Sequence, residues 1–144
     1  MIANRSIPPA TVIPVLVYPD VRAAVDWLTA AFGFTERIRI GENHRSQMII
    51  GRDGAVIVAD VRGERQAPRP GGGMTHALKV RVEDVDAVFE RARAHGARVL
   101  QAPEDQVYGE RECMVADLGG HHWNFTQSLR DVAPEEWGGI AAGG

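Results

Sequence analysis

The residues of this chain best equipped for chemistry gather toward its C-terminal third. The run His121-His122-Trp123-Asn124-Phe125 follows a turn, Asp117-Leu118-Gly119-Gly120, and Tyr108-Gly109-Glu110-Arg111 stands shortly before it. Imidazole serves as base or ligand near neutral pH, and an amide both donates and accepts hydrogen bonds. Arg111 offers a planar fork suited to an anionic group, while Tyr108 and Trp123 offer flat faces for stacking. Adjacent residues on a strand face opposite sides, so His121 and His122 do not chelate one ion together. His122 shares a face with Asn124, and His121 shares one with Trp123. One of the two histidines is expected to face solvent and the other to hydrogen-bond near the turn. His76 alternates with Leu78, Val80 and Val82, which predicts an inward orientation. Cys113, the single cysteine, sits in a strand-like segment with no helix start beside it, so it reads as a buried, inert thiol. Lone cysteine also excludes an intrachain disulfide and a thiolate-rich metal site. Gly71-Gly72-Gly73-Met74-Thr75 lacks the Lys-Ser/Thr of a phosphate loop, and neither a Gly-x-Ser-x-Gly elbow nor a dinucleotide fingerprint occurs.

The elements that must hold these residues form a repeat. Asp20-Val21 recurs as Asp84-Val85 at an offset of 64 residues, each pair closing an apolar, strand-like segment: Thr11 to Tyr18 and Thr75 to Val82. Each aspartate occupies an N-cap position. Behind the caps, Val21, Ala24, Val25 and Leu28 in one copy match Val85, Val88, Phe89 and Ala92 in the other, at helical spacing. Gly33 and Gly96 can take the left-handed conformation that ends a helix. Strands are then expected at Phe34 to Ile40, His44 to Ile50 and Ala55 to Val61, and in the second copy at Ala97 to Ala102, Arg111 to Ala116 and His121 to Gln127. The result is a module over residues 11–61, a Pro/Gly-rich linker over 62–73, a second module over 74–127 and a tail over 128–144. The fold class is α+β, two βαβββ modules forming a curved sheet around a cleft, with the helices outside and the inner face free to line a cavity. His44, Arg45 and Gln47 form a polar strand start at the mouth of such a cleft.

Composition narrows the partners. The chain has 144 residues, 44% hydrophobic and 24% charged, which fits one globular domain and excludes disorder and coiled coil. Its 16 Lys and Arg are outnumbered by 19 Asp and Glu, giving a net charge of -3 with no basic cluster, so nucleic acid is not an expected partner. The longest apolar run, Ala55 to Ala59, is far too short for a membrane span, and Met1 to Pro9 does not read as a signal peptide. A cytoplasmic location without membrane partners is the expectation.

The doubled module, with Asp-Val opening each helix and Asp117-Leu118-Gly119-Gly120-His121-His122-Trp123-Asn124 near the end, resembles the vicinal oxygen chelate superfamily, which includes glyoxalases, bleomycin-resistance proteins and extradiol dioxygenases. The resemblance spans roughly Thr11 to Gln127. It implies paired modules around an open cleft, commonly in homodimers. In metal-dependent members, the first and last strands of each module supply the ligands. Carried over to this chain, those positions fall at Ile13 (or Val12), Val58, His76 and Asn124. Hydrocarbon at two of them and a neutral amide at a third make a poor divalent-ion site, so no metal or other cofactor is expected.

The function expected from sequence is metal-independent binding of a small molecule, a drug or metabolite, in the cleft. The pocket candidates are His76, Asn124, His122, Trp123, Tyr108, Arg111, Ile13 and Val58. The alternative is a glyoxalase-like lyase or dioxygenase-type metalloenzyme with an atypical metal site, with His76 as base or ligand and Asn124 donating to an enolate oxygen.

Overall fold

The computed structural model describes residues 1–143. Elements run in the order β1 (Val15–Tyr18), α1 (Val21–Phe32), β2 (Thr35–Ile40), β3 (Arg45–Ile50), β4 (Gly54–Asp60), β5 (Leu78–Arg81), α2 (Val85–Ala94), β6 (Arg98–Asp105), β7 (Glu110–Ala116) and β8 (His122–Ser128), then a short 3-10 helix, Pro134–Trp137. Two four-stranded mixed sheets result, ordered β1-β4-β3-β2 and β5-β8-β7-β6. Each is a βαβββ module, so the α+β fold of two repeated modules is as the sequence predicts. The chain divides into two compact units. The first holds residues 1–74 together with Asp117–His121; the second holds Thr75–Ala116 and the residues from His122 onward.

Both helices begin where the aspartates place them. Asp20 accepts from the Ala23 amide at 3.0 Å and Asp84 from the Ala87 amide at 3.1 Å, each satisfying a donor that the first helical turn leaves open. Gly33, at φ 75°, closes α1 with its N–H on the carbonyls of Leu28 and Thr29.

In the first unit, α1 buries Val21, Ala24, Val25, Leu28, Ala31 and Phe32. Register identifies the sheet face beneath it. Glu36 pairs with Met48 and Met48 with Val56, while Ser46 pairs with Val58 and Val58 with Leu16. Glu36 is ion-paired to Arg22 of α1, so this whole set faces the helix. Met48, Val56 and Val58 are fully buried there, each apolar side chain stabilising the unit by about 1.5–3 kcal/mol. Ring contacts of Phe32 with Trp27 at 5.1 Å and with Phe34 at 5.4 Å extend the core past the helix end.

In the second unit the same reasoning applies. Arg111 of β7 bonds Asp86 of α2, and Gln127 of β8 accepts from the Val85 amide that starts the helix. Arg111 pairs with Gln127, Cys113 with Phe125, Val115 with Trp123, and Trp123 with Leu78, so these residues share the face beneath α2. Cys113 is fully buried, as expected, and burial pushes its thiol up to about 11.

Candidate functional site

The face of the second sheet turned away from α2 carries a row of polar groups. Strand alternation places Lys79 and Arg81 of β5, His122, Asn124 and Thr126 of β8, and Glu110, Glu112 and Met114 of β7 on it. Glu112 is its anchor. At 4% exposure its carboxylate accepts from Lys79 Nζ at 2.9 Å and from the Tyr108 hydroxyl at 2.6 Å. Burial pushes the Glu112 carboxyl up, but the hydrogen bonds from Lys79 and Tyr108 outweigh it, and the group stays below its ordinary range. The same hydrogen bond, then burial, raises the Tyr108 phenol to about 12. Tyr108 is fixed on its other flank by Trp137 of the 3-10 helix, with ring centroids 5.4 Å apart. Further along, Thr126 donates to Glu110 at 2.6 Å and Arg81 to Ser128 at 2.5 Å.

Two atoms on this face lack a partner. Asn124, only 9% exposed, has a buried Oδ1 without a hydrogen bond, and so has the buried Nδ1 of His122 two residues earlier. A buried polar atom left unsatisfied costs about 1–3 kcal/mol, so Asn124 Oδ1 is a place where a bound donor would be rewarded, and His122 Nδ1 one where a bound polar group would be. A hollow of about 460 Å³ opens at the Tyr108 end of the row, between Tyr108, Glu110 and residues 128–132. That volume suits a small organic ligand.

The sequence-predicted pocket residues separate into two sets. Asn124, His122 and Tyr108 come together on the polar face. Arg111 lies beneath α2, its guanidinium bonded to Asp86 at 2.9 and 3.1 Å and to Asp105 at 2.8 Å, so its charge is consumed within the unit. Trp123 is fully buried on the same helix side and offers no stacking surface. His76 corrects an expectation: β5 begins only at Leu78, and Leu78 registers with Trp123 on the α2 side, so the alternation that predicted an inward His76 belongs to the opposite face. His76 itself is exposed, in extended chain ahead of the strand, its ring beside the Thr75 hydroxyl at 3.2 Å. Ile13 is half-buried ahead of β1, and Val58 is fully buried facing α1. Register also replaces Val58 as the counterpart of Asn124. Val15 registers with Ile57 and its repeat mate Lys79 with Asn124, so Ile57 is the equivalent position in the first unit. His121 is buried against Tyr18, with Nε2 2.8 Å from the Val17 carbonyl.

Lys79 and Glu112 were missed from sequence. In sequence they stand among other charged residues, Arg81 in β5 and Glu110 and Arg111 in β7, and only strand register sets them beside Asn124.

These residues do not fit a divalent ion at the positions the resemblance implies. Ile13 (or Val12) and Val58, like Ile57 at the register counterpart, are hydrocarbon, Asn124 is a neutral amide, His76 is a single imidazole, and among the described residues no three His, Cys, Asp or Glu side chains converge on a point. No helix among the described residues is long and apolar enough to cross a membrane.

Comparison with known proteins places this geometry in context. The sequence profile of the Glyoxalase/Bleomycin resistance protein/Dioxygenase superfamily matches residues 10–125. An uncharacterized protein of Mycobacterium bovis is 34% identical over 140 residues, covering 85% of this chain and 86% of that protein. The crystal structure of TioX from Micromonospora sp. ML1 superposes with a TM-score of 0.68 at 36% identity, covering 81% of this chain and 97% of that one. TnmS3, an antibiotic binding protein from Streptomyces sp. CB03234, shares the fold with a TM-score of 0.65 at 22% identity, covering 85% of this chain and 98% of that one.

Proposed function

This chain belongs to the Glyoxalase/Bleomycin resistance protein/Dioxygenase superfamily, and from that premise we propose that it binds a small drug-like or metabolite molecule without a resident metal. The reading takes it to work as a homodimer, as its family commonly does, and in the cytoplasm. The observation that carries it is the buried, unpartnered Oδ1 of Asn124, set on a polar face beside Lys79 and Glu112 where a metalloenzyme would need a charged ligand. An amide at that place recognises a ligand N–H or O–H. A fixed carboxylate held by Lys79 and Tyr108 gives the face a defined charge pattern rather than a mobile one. The antibiotic binding function named for TnmS3 supports the same class of activity.

Isothermal calorimetry against cationic glycopeptides, aromatic antibiotics and related metabolites tests the reading. Saturable binding that survives exhaustive chelation is the expected result. Absence of saturable binding across the panel, or binding abolished by chelation and restored by a divalent ion, overturns it. A lyase reading requires His76 and Asn124 to act on one point, and β5 register gives it no support.

A further inference from the structure

The first unit holds a pair of donors already occupied by the chain itself. Strands β2 and β3 pair Thr35 with Ile49 and Glu36 with Met48, then Ile38 with Gln47, which leaves Arg37 as an inserted residue. A bulge of this kind re-aims the side chains around it. Glu36 remains on the α1 side, bonded to Arg22 and Ser46, whereas Arg37 and Gln47 meet on the other side, Arg37 Nη1 donating to Gln47 Oε1 at 2.7 Å. One further donor of each residue is taken by a main-chain oxygen: Arg37 Nη2 reaches the Arg5 carbonyl at 2.9 Å and Gln47 Nε2 the Ser6 carbonyl at 2.8 Å. Gln47 is 4% exposed, residues 5–7 are exposed and belong to no helix or strand, and Pro8 is buried. The segment is therefore a strap with two side-chain bonds and one buried proline as its anchors.

Two neighbouring oxygens on a guanidinium and an amide reproduce how such a pair holds a carboxylate. We propose that residues 5–8 are a displaceable strap over a carboxylate site formed by Arg37 and Gln47. An incoming small-molecule carboxylate takes Arg37 Nη2 and Gln47 Nε2 from the carbonyls of Arg5 and Ser6 and frees the strap. A carboxylate turns the neutral Gln47 bond into a charge-assisted one and gives the Arg37 guanidinium an opposite charge in place of a neutral carbonyl, which favours the ligand. Tethering gives the strap an effective concentration on the order of millimolar, which sets the ligand concentration that displaces it. The site lies in the first unit and stands independently of the binding reading for the second.

Trypsin reads the strap directly, because Arg5 precedes the strap's own Ser6. The rate of cleavage between them is followed by mass spectrometry, with cleavage after the exposed Arg62, which precedes Gly63, in the same digest as the control. Arg37→Met is expected to speed Arg5 cleavage about tenfold without altering cleavage at Arg62, as the loss of the anchoring bonds predicts. Sodium benzoate at ~10 mM is expected to speed Arg5 cleavage in the wild type, saturably, while neutral benzamide does so far less and Arg37→Met no longer responds. Equal Arg5 rates in wild type and Arg37→Met overturn the strap. A wild-type rate indifferent to benzoate overturns the carboxylate site. If Arg37→Met speeds both cleavages through general destabilisation, the wild-type benzoate series, which needs no variant, decides.

Discussion

Asp117 organises the turn ahead of β8 as an acceptor for three donors: the Tyr18 hydroxyl at 2.5 Å and the amides of Gly119 and His121, both at 2.9 Å. Burial first, then the Asp117 charge and hydrogen bond, push the Tyr18 phenol well above its ordinary value, and Tyr108 stands at about 12. The chain has two tyrosines, so neither is expected to ionise where a free phenol does, near pH 10. Titration of tyrosinate absorbance is expected to show a flat native curve through that range and two ionising groups in urea. Because both folded values lie above the unfolded one, their stabilisation is full below pH ~10 and is lost as pH rises toward the folded values, so urea midpoints should fall on that alkaline side. Asn124 carries the opposite kind of prediction. Asn124→Leu removes an unsatisfied buried acceptor, so thermal unfolding should show unchanged or slightly higher stability, while ligand affinity falls about tenfold or more. A clear drop in stability would instead mark Asn124 as a structural residue.

At the scale of elements, the two helices differ in how much they lean on their caps. α1 buries six side chains, whereas α2 buries Val85, Phe89 and Ala92. Removing either cap, Asp20→Ala or Asp84→Ala, is expected to cost about 1 kcal/mol in urea unfolding. Hydrogen exchange should rise more in the first turn of α2, which has less buried surface to hold it. These helices were legible because capping and 3.6-residue spacing are local: Asp20 and Asp84 announce their starts and Gly33 an end. Strand order was legible too, but β1 and β5 begin only at Val15 and Leu78 rather than at Thr11 and Thr75, and which side each residue takes was not legible. His76 shares its alternation with Leu78 and Val80, and only the pairing of Leu78 with Trp123 shows that this parity faces α2. The Arg37 bulge is likewise silent in sequence, since nothing in Glu36-Arg37-Ile38 marks where the ladder slips by one residue.

For the whole molecule, the division into units cuts across the repeat. The first unit includes Asp117–His121, a turn that in sequence belongs to the second module. A fragment of residues 1–74 lacks Asp117, the partner of Tyr18, and the His121 ring that packs on Tyr18 at 4.7 Å. Circular dichroism in urea is expected to show no cooperative unfolding of that fragment alone, and recovery of a transition on mixing with residues 75–144. A cooperative transition in the isolated fragment would show that the turn is dispensable. The sequence by itself determined the duplicated βαβββ order, the helix boundaries, the buried Cys113 and the family, because each rests on short-range spacing or on contiguous motifs. Tertiary structure alone decided that Arg111 and Trp123 serve the α2 side, that Lys79 and Glu112 join Asn124, and that Arg37 and Gln47 grip the chain's own start. Those outcomes depend on strand register and on partners far apart along the chain, which no local pattern encodes.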